Sequence, residues 1–166
     1  MRRLLAASLA LAALGAAGCH YSPGTGAEPP FSSVTVEAVK NDTFAPQMQS
    51  ELHRQLADSL AQERALHVVP SGGQARLFVT LSEYSRNVSA VNPKDTVQAA
   101  AYSLSLSAKI RLVDTRNGKE LLRDREVRAA LSAYAEDGFL RTETQTLPLL
   151  SRELAKQIKD AVTGVW

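Results

Sequence analysis

The sequence has a single cysteine, three histidines and no apolar run long enough to span a bilayer. One cysteine excludes an intramolecular disulfide. His20, His53 and His67 have no cysteine or histidine partner at ligand spacing, so no metal site is expected. The longest apolar stretch, Leu4 to Leu14, falls short of the roughly 18 to 20 residues a permanent transmembrane helix requires. Catalytic signatures are missing too. Ser71-Gly72-Gly73 lacks the lysine of a phosphate-binding loop, and no Gly-x-Ser-x-Gly elbow is present. Glu136 and Asp137 come nearest to a carboxylate pair, but their place before Gly138 is that of acidic loop residues. Neither an enzyme nor a cofactor is expected. Charge of one sign is also lacking. The formal net charge of +2 comes from Arg2 and Arg3; without them, 17 Lys and Arg face 17 Asp and Glu. Such a balance gives no basic field of the kind that attracts nucleic acid.

The N-terminus is the most informative segment. Arg2 and Arg3 precede the apolar run, which ends in Gly15, Ala16, Ala17 and Gly18, the order of a cleavable signal peptide over residues 1–18. Cys19 follows at once. Ala16-Ala17-Gly18-Cys19 resembles the bacterial lipobox, with Ala16 where leucine is usual. The resemblance implies that Cys19 becomes the acylated N-terminus. Ordinary cleavage leaving a free thiol is the other outcome of the same pattern. Each buried methylene contributes about 0.8 kcal/mol, so two or more acyl chains anchor stably where one is marginal. His20 in place of aspartate resembles the sorting pattern for the outer membrane.

Residues 19–31 read as a lipidated N-terminus and tether, because Pro23, Gly24, Gly26, Pro29 and Pro30 disfavour helix and sheet alike. Residues 32–166 are then one domain. Ser33 to Ala38 alternates, placing Val34, Val36 and Ala38 on one side of a strand. After the turn residues Asn41 to Thr43 and Pro46, the recurrence Met48, Leu52, Leu56, Leu60 predicts an amphipathic helix. Leu66 to Val69 is a short strand, Pro70 to Gly73 a turn, and Leu77, Val79 and Leu81 face inward from another strand. The polar stretch Arg86 to Thr96, containing Asn92-Pro93, reads as a long loop.

The clearest strand carries Tyr102, Leu104, Leu106, Ala108, Ile110 and Leu112 on one face and Ser103, Ser105, Ser107, Lys109 and Arg111 on the other. Asn117-Gly118 turns it into a returning strand with Val127, Ala129, Leu131 and Ala133 inside. Leu147, Leu150, Leu154, Ile158 and Val162 predict a closing helix that starts near Pro148 with Thr146 as cap. The expected class is α+β: a mostly antiparallel sheet of about four strands with two amphipathic helices packed on one face.

Several segments, taken in order, resemble one family. They are Cys19-His20-Tyr21 before a Gly-containing tether, Val34-Thr35-Val36 leading to Asn41-Asp42-Thr43-Phe44-Ala45-Pro46, and the leucine helix followed by Leu66-His67-Val68-Val69. Arg111-Leu112-Val113-Asp114, turning at Gly118 to Lys119-Glu120-Leu121, and the helix ending near Trp166 extend the likeness. The chain resembles the lipopolysaccharide (LPS)-assembly lipoproteins of the LptE type, with His20 where the family usually has glycine. The resemblance implies a non-enzymatic accessory beside the outer-membrane β-barrel that delivers LPS, with direct contact to the glycolipid as a further implication. A phosphorylated glycolipid calls for basic side chains, and Arg86, Lys94, Lys109 and Arg111 are the candidates, though a strand's polar face carries such charges for solubility alone. Ser103, Ser105 and Ser107 make the face beside them small enough for a barrel wall or another strand to approach. An auxiliary lipoprotein of a phospholipid-transport ABC system, or another envelope-binding lipoprotein, shares the anchor, the size and the mix of elements and is the rival class.

Overall fold

The computed structural model describes residues 30–45, 48–92, 95–134 and 139–165. The expected signal peptide over residues 1–18, Cys19, His20, Lys94, Glu136, Asp137 and Trp166 lie outside the described residues. In chain order the elements are β1 (Ser33–Val36), β2 (Lys40–Asn41), α1 (Met48–Ala61), β3 (His67–Val68), β4 (Ala75–Asn92), β5 (Asp95–Asp114), β6 (Glu120–Tyr134) and α2 (Phe139–Thr163).

The expected class holds, and the sheet is larger and of mixed direction. Six strands run in the order β3-β1-β4-β5-β6, with β2 paired to β4. Only β4, β5 and β6 form an antiparallel meander; β1 lies parallel to both β3 and β4, and β2 parallel to β4. Alternation reveals which residues face inward but carries no information about strand direction. Direction follows from the connection: α1 carries the chain back after β1, so β3 re-enters alongside it in the same sense.

Both helices bury one stripe against the sheet. Met48, Leu52, Leu56 and Leu60 of α1, and Leu150, Leu154, Ile158 and Val162 of α2, meet Leu77, Leu81, Leu104, Leu106, Ile110 and Leu112 in one continuous core. Fully burying each such side chain contributes about 1.5–3 kcal/mol. Lys159 of α2 reaches Glu63 beyond α1 at 2.9 Å, closing the helix pair on its solvent side. No helix among the described residues is long and apolar enough to cross a membrane.

Three local departures from simple alternation shape the molecule. Between the Val36–Leu77 and Lys40–Thr80 pairs the first strand advances four residues while β4 advances three. The extra residue inverts the phase, as in a bulge. Ala38, expected inside, is exposed, and Val39 is buried instead. A second shift, between Leu81 and Glu83 of β4, turns Tyr84 and Arg86 towards the helix side, opposite Leu106 and Leu104. The third concerns α2. It begins at Phe139, and Pro148 lies inside it rather than at its start. Proline removes the N–H that would bond to the Thr144 carbonyl. Thr146 is not a cap: its hydroxyl donates to the Thr142 carbonyl at 2.7 Å.

The predicted loop from Arg86 to Thr96 is mostly strand. β4 continues to Asn92 and β5 starts at Asp95, forming a hairpin arm. Its residues from Arg86 to Val91 are exposed, so they lack the apolar-polar contrast by which strands are recognised.

The opposite end of the meander is tightly tied. Asp114, almost fully buried, accepts bonds from the Arg116 backbone N–H at 2.9 Å and from its Nε and Nη2 at 3.0 and 2.8 Å. These bonds hold its carboxyl down at about 2. Arg116 also donates to the Pro30 carbonyl at 2.5 Å, so the chain enters the domain beside the β5–β6 turn. Gly118 occupies the left-handed region there (φ 71°), as the Asn-Gly pair predicted.

Candidate functional site

The helix-free face of the sheet carries a charged row. Lys40 of β2 pairs with Thr80 of β4, Thr80 with Lys109 of β5, and Lys109 with Glu126 of β6. Neighbouring strands lie about 4.8 Å apart, so the Cα atoms of Lys40 and Lys109 are roughly 10 Å from one another across Thr80. Both lysines are exposed.

Phe78 pairs with Arg111 beside this row. The Arg111 guanidinium lies 4.4 Å from the ring centroid and that of Arg76 lies 5.2 Å from it. Each contact stabilises by about 0.5–1 kcal/mol at an exposed site. Arg76 is held by Glu37 at 2.7 Å, and Arg111 by Glu120 at 3.6 Å. The Glu37 bond raises the pKa of Arg76, and Glu120 is pulled below the usual carboxylate range first by Arg123 and then by Arg111. Lys40, Phe78, Lys109 and Arg111 line a shallow groove of about 180 Å³, with the acidic Asp124 also at its edge. The arrangement is suited to electrostatic contact with an anion, since a ring and carboxylates fix the guanidinium while the ammonium groups remain solvent-facing.

The four basic candidates therefore do not form one site. Lys109 and Arg111 share the groove, Arg86 stands on the helix side of the sheet, and Lys94 is outside the described residues. Lys40 was missed. Its only signal was the offset between β1 and β2, which puts it on the outer face and is invisible without the β4 register. The serine face is less open than expected. Ser105 and Ser107 are buried although no helix among the described residues covers them. Ser105 meets Ser85 at 2.7 Å and accepts from Arg128 at 2.9 Å. The small serines leave room on this face for the Arg128 side chain, which bonds to Ser105.

Arg86 borders a different cavity, of about 460 Å³, beside Tyr84, Glu143 and Leu147. Tyr84 donates its hydroxyl to Glu143, and Arg86 lies 3.5 Å from the other carboxylate oxygen. Burial and the Glu143 bond push the tyrosine pKa up. The exposed large apolar side chains Phe44, Val88, Val91, Tyr134, Leu140 and Leu149 come from the hairpin arm, the end of β6, the first half of α2 and the approach to α1. That end of the sheet is opposite the Pro30 entry. Among the described residues no His, Cys, Asp or Glu cluster is arranged to hold a metal ion.

A family model described as LptE, lipopolysaccharide-assembly, matches residues 31–162, which is nearly the whole described domain. The chain belongs to the LptE family. This family comprises non-enzymatic accessory lipoproteins that work with the LPS machinery in general. No curated protein matches the sequence significantly. Among solved structures, the hypothetical protein CT253 of Chlamydia trachomatis superposes with a TM-score of 0.57 at 14% identity, covering 81% of this chain and 97% of that one. Protein XCC0632 of Xanthomonas campestris gives 0.56 at 7% identity, covering 85% and 91%. The uncharacterized lipoprotein B of Nitrosomonas europaea gives 0.50 at 15% identity, covering 82% and 81%. At these identities the likeness is one of fold. The LptE assignment rests on the family model and favours LPS assembly over the phospholipid-transport rival.

Proposed function

We propose that this LptE-family chain is an outer-membrane lipoprotein, anchored through acylated Cys19, that assists LPS transport by partnering the translocon β-barrel. The observation that carries the reading is the family match across residues 31–162. The two ends of the domain divide the work. The tether enters beside Arg116, and the apolar end bearing Val88, Tyr134, Leu140 and Leu149 is the surface offered to the barrel. On the uncovered face, Lys40, Lys109 and Arg111 meet phosphate groups of the glycolipid. Arg86 is not part of that row.

Photo-crosslinking in cells tests the surface assignment. A photoreactive residue at Tyr134 or Leu149 is expected to capture the barrel, while one at Arg64, exposed after α1, is not. Capture from Arg64 alone would overturn the orientation.

A further inference from the structure

The cavity on the helix side combines features that the LPS reading does not use. Its floor is apolar, with Ala45, Met48 and Leu147, and Met48 is almost completely buried. One wall is polar. The Glu143 side chain is only 14% exposed and that of Arg86 is 58% exposed, and the 3.5 Å between them is a loose contact for an ion pair. A carboxylate offers about four acceptor positions, so the Tyr84 and Arg86 contacts leave capacity on Glu143, and a guanidinium carries five donors. Phe44, on the rim, has its whole side chain in solvent. The volume of about 460 Å³ lies within the range of small-molecule sites, roughly 300–1,000 Å³.

A negative and a positive group side by side above an apolar floor match a zwitterion attached to a hydrocarbon chain. We propose that this cavity binds one phosphoethanolamine phospholipid, its phosphate on Arg86, its ammonium on Glu143 and part of an acyl chain against Ala45, Met48 and Leu147. The headgroup fits because its ammonium is two methylenes from the phosphate ester, so both charges reach side chains that already touch. An anionic phospholipid lacking the ammonium can bring only a neutral hydroxyl donor to Glu143, a weaker bond than that of an ammonium, and adds no charge neutralisation there. Binding through Arg86 and Glu143 is separate from the Lys40–Lys109 row on the opposite face of the sheet.

The test uses the full-length lipidated chain in mild detergent, mixed with equal amounts of phosphatidylethanolamine and phosphatidylglycerol, with bound lipid counted by native mass spectrometry. A one-to-one adduct favouring phosphatidylethanolamine by at least about tenfold is expected, the size of one charge-assisted hydrogen bond. Glu143→Gln should abolish the preference, Arg86→Ala should lower retention of both lipids, and Leu147→Trp, which fills the floor, should remove the adduct. Thermal unfolding of each variant identifies any that fails to fold; because Arg86 is exposed, its variant keeps the test decisive if Glu143→Gln does not fold. Equal retention of the two lipids by wild type, or an adduct that survives in Leu147→Trp, would overturn the proposal. Barrel capture by the same variants is read separately, so failure of the lipid site and failure of the LPS-assembly role are distinguishable.

Discussion

Lys40 and Lys109 flank Thr80 in one row across three strands, although 68 intervening residues and both strand directions separate them in the chain. Lys40 arrives on a parallel strand and Lys109 on an antiparallel one. Their convergence depends on the extra residue between β1 and β2, which inverts the phase before Lys40.

Replacing both lysines with alanine should leave the fold intact, because both are exposed, and should weaken LPS binding by roughly two- to fivefold for each exposed lysine–phosphate pair removed. Binding of fluorescent LPS to wild type and to Lys40→Ala/Lys109→Ala, repeated at rising salt, measures this. Unchanged affinity would remove the row from the account.

Asp114 organises the β5–β6 turn with a carboxyl held at about 2 by Arg116. Its folded pKa is depressed, so its stabilisation is fully present above the unfolded carboxylate value of about 3.9 and is lost as pH falls through the folded one. The stability difference between wild type and Asp114→Asn in urea should stay constant from pH 7 to about pH 5, then shrink towards pH 2. A difference that changes mainly above pH 5 would assign the effect to another group.

Gly73 packs against the backbone of β1. A Cβ there would lie 2.7 Å from the Thr35 nitrogen and 2.9 Å from the Val34 carbonyl carbon. The Gly73 N–H also donates to the Thr35 hydroxyl at 3.0 Å. Gly73→Ala should destabilise by about 1–3 kcal/mol, the range for overpacking a tight site, and urea unfolding measures it.

Pro148 interrupts the hydrogen bonds of α2 while its own side chain is exposed. Pro148→Ala restores a donor to the Thr144 carbonyl and should stabilise the domain by about 1–3 kcal/mol, read as a higher urea midpoint. A lower midpoint would mean that the helix depends on the bend imposed by proline.

The inward faces of α1, β5 and β6 and the Asn117-Gly118 turn were legible because each presents uninterrupted apolar periodicity or a turn residue in its required conformation. What escaped was long-range or phase-breaking. Parallel pairing of β1 leaves no mark on its four residues, the Leu81/Glu83 shift moves Tyr84 inward against its alternation, and the exposed arm has no buried side to reveal it. The start of α2 was hidden by Pro148, which reads as a first-turn residue whenever the preceding turns are polar. Of the candidate site, Lys109 and Arg111 were visible on the strongest strand, whereas Lys40 and the partnership of Arg86 with Glu143 required the register and the third dimension.

The most direct test of the LPS-assembly account is to express the native chain with a C-terminal tag in its own or a related host, extract the outer membrane in mild detergent and identify what co-purifies, beside a Cys19→Ala control. The account predicts recovery of the LPS-translocon barrel with the wild-type chain, and disappearance of the chain from the outer membrane in the control. Recovery of an inner-membrane ABC transporter in place of the barrel would contradict it.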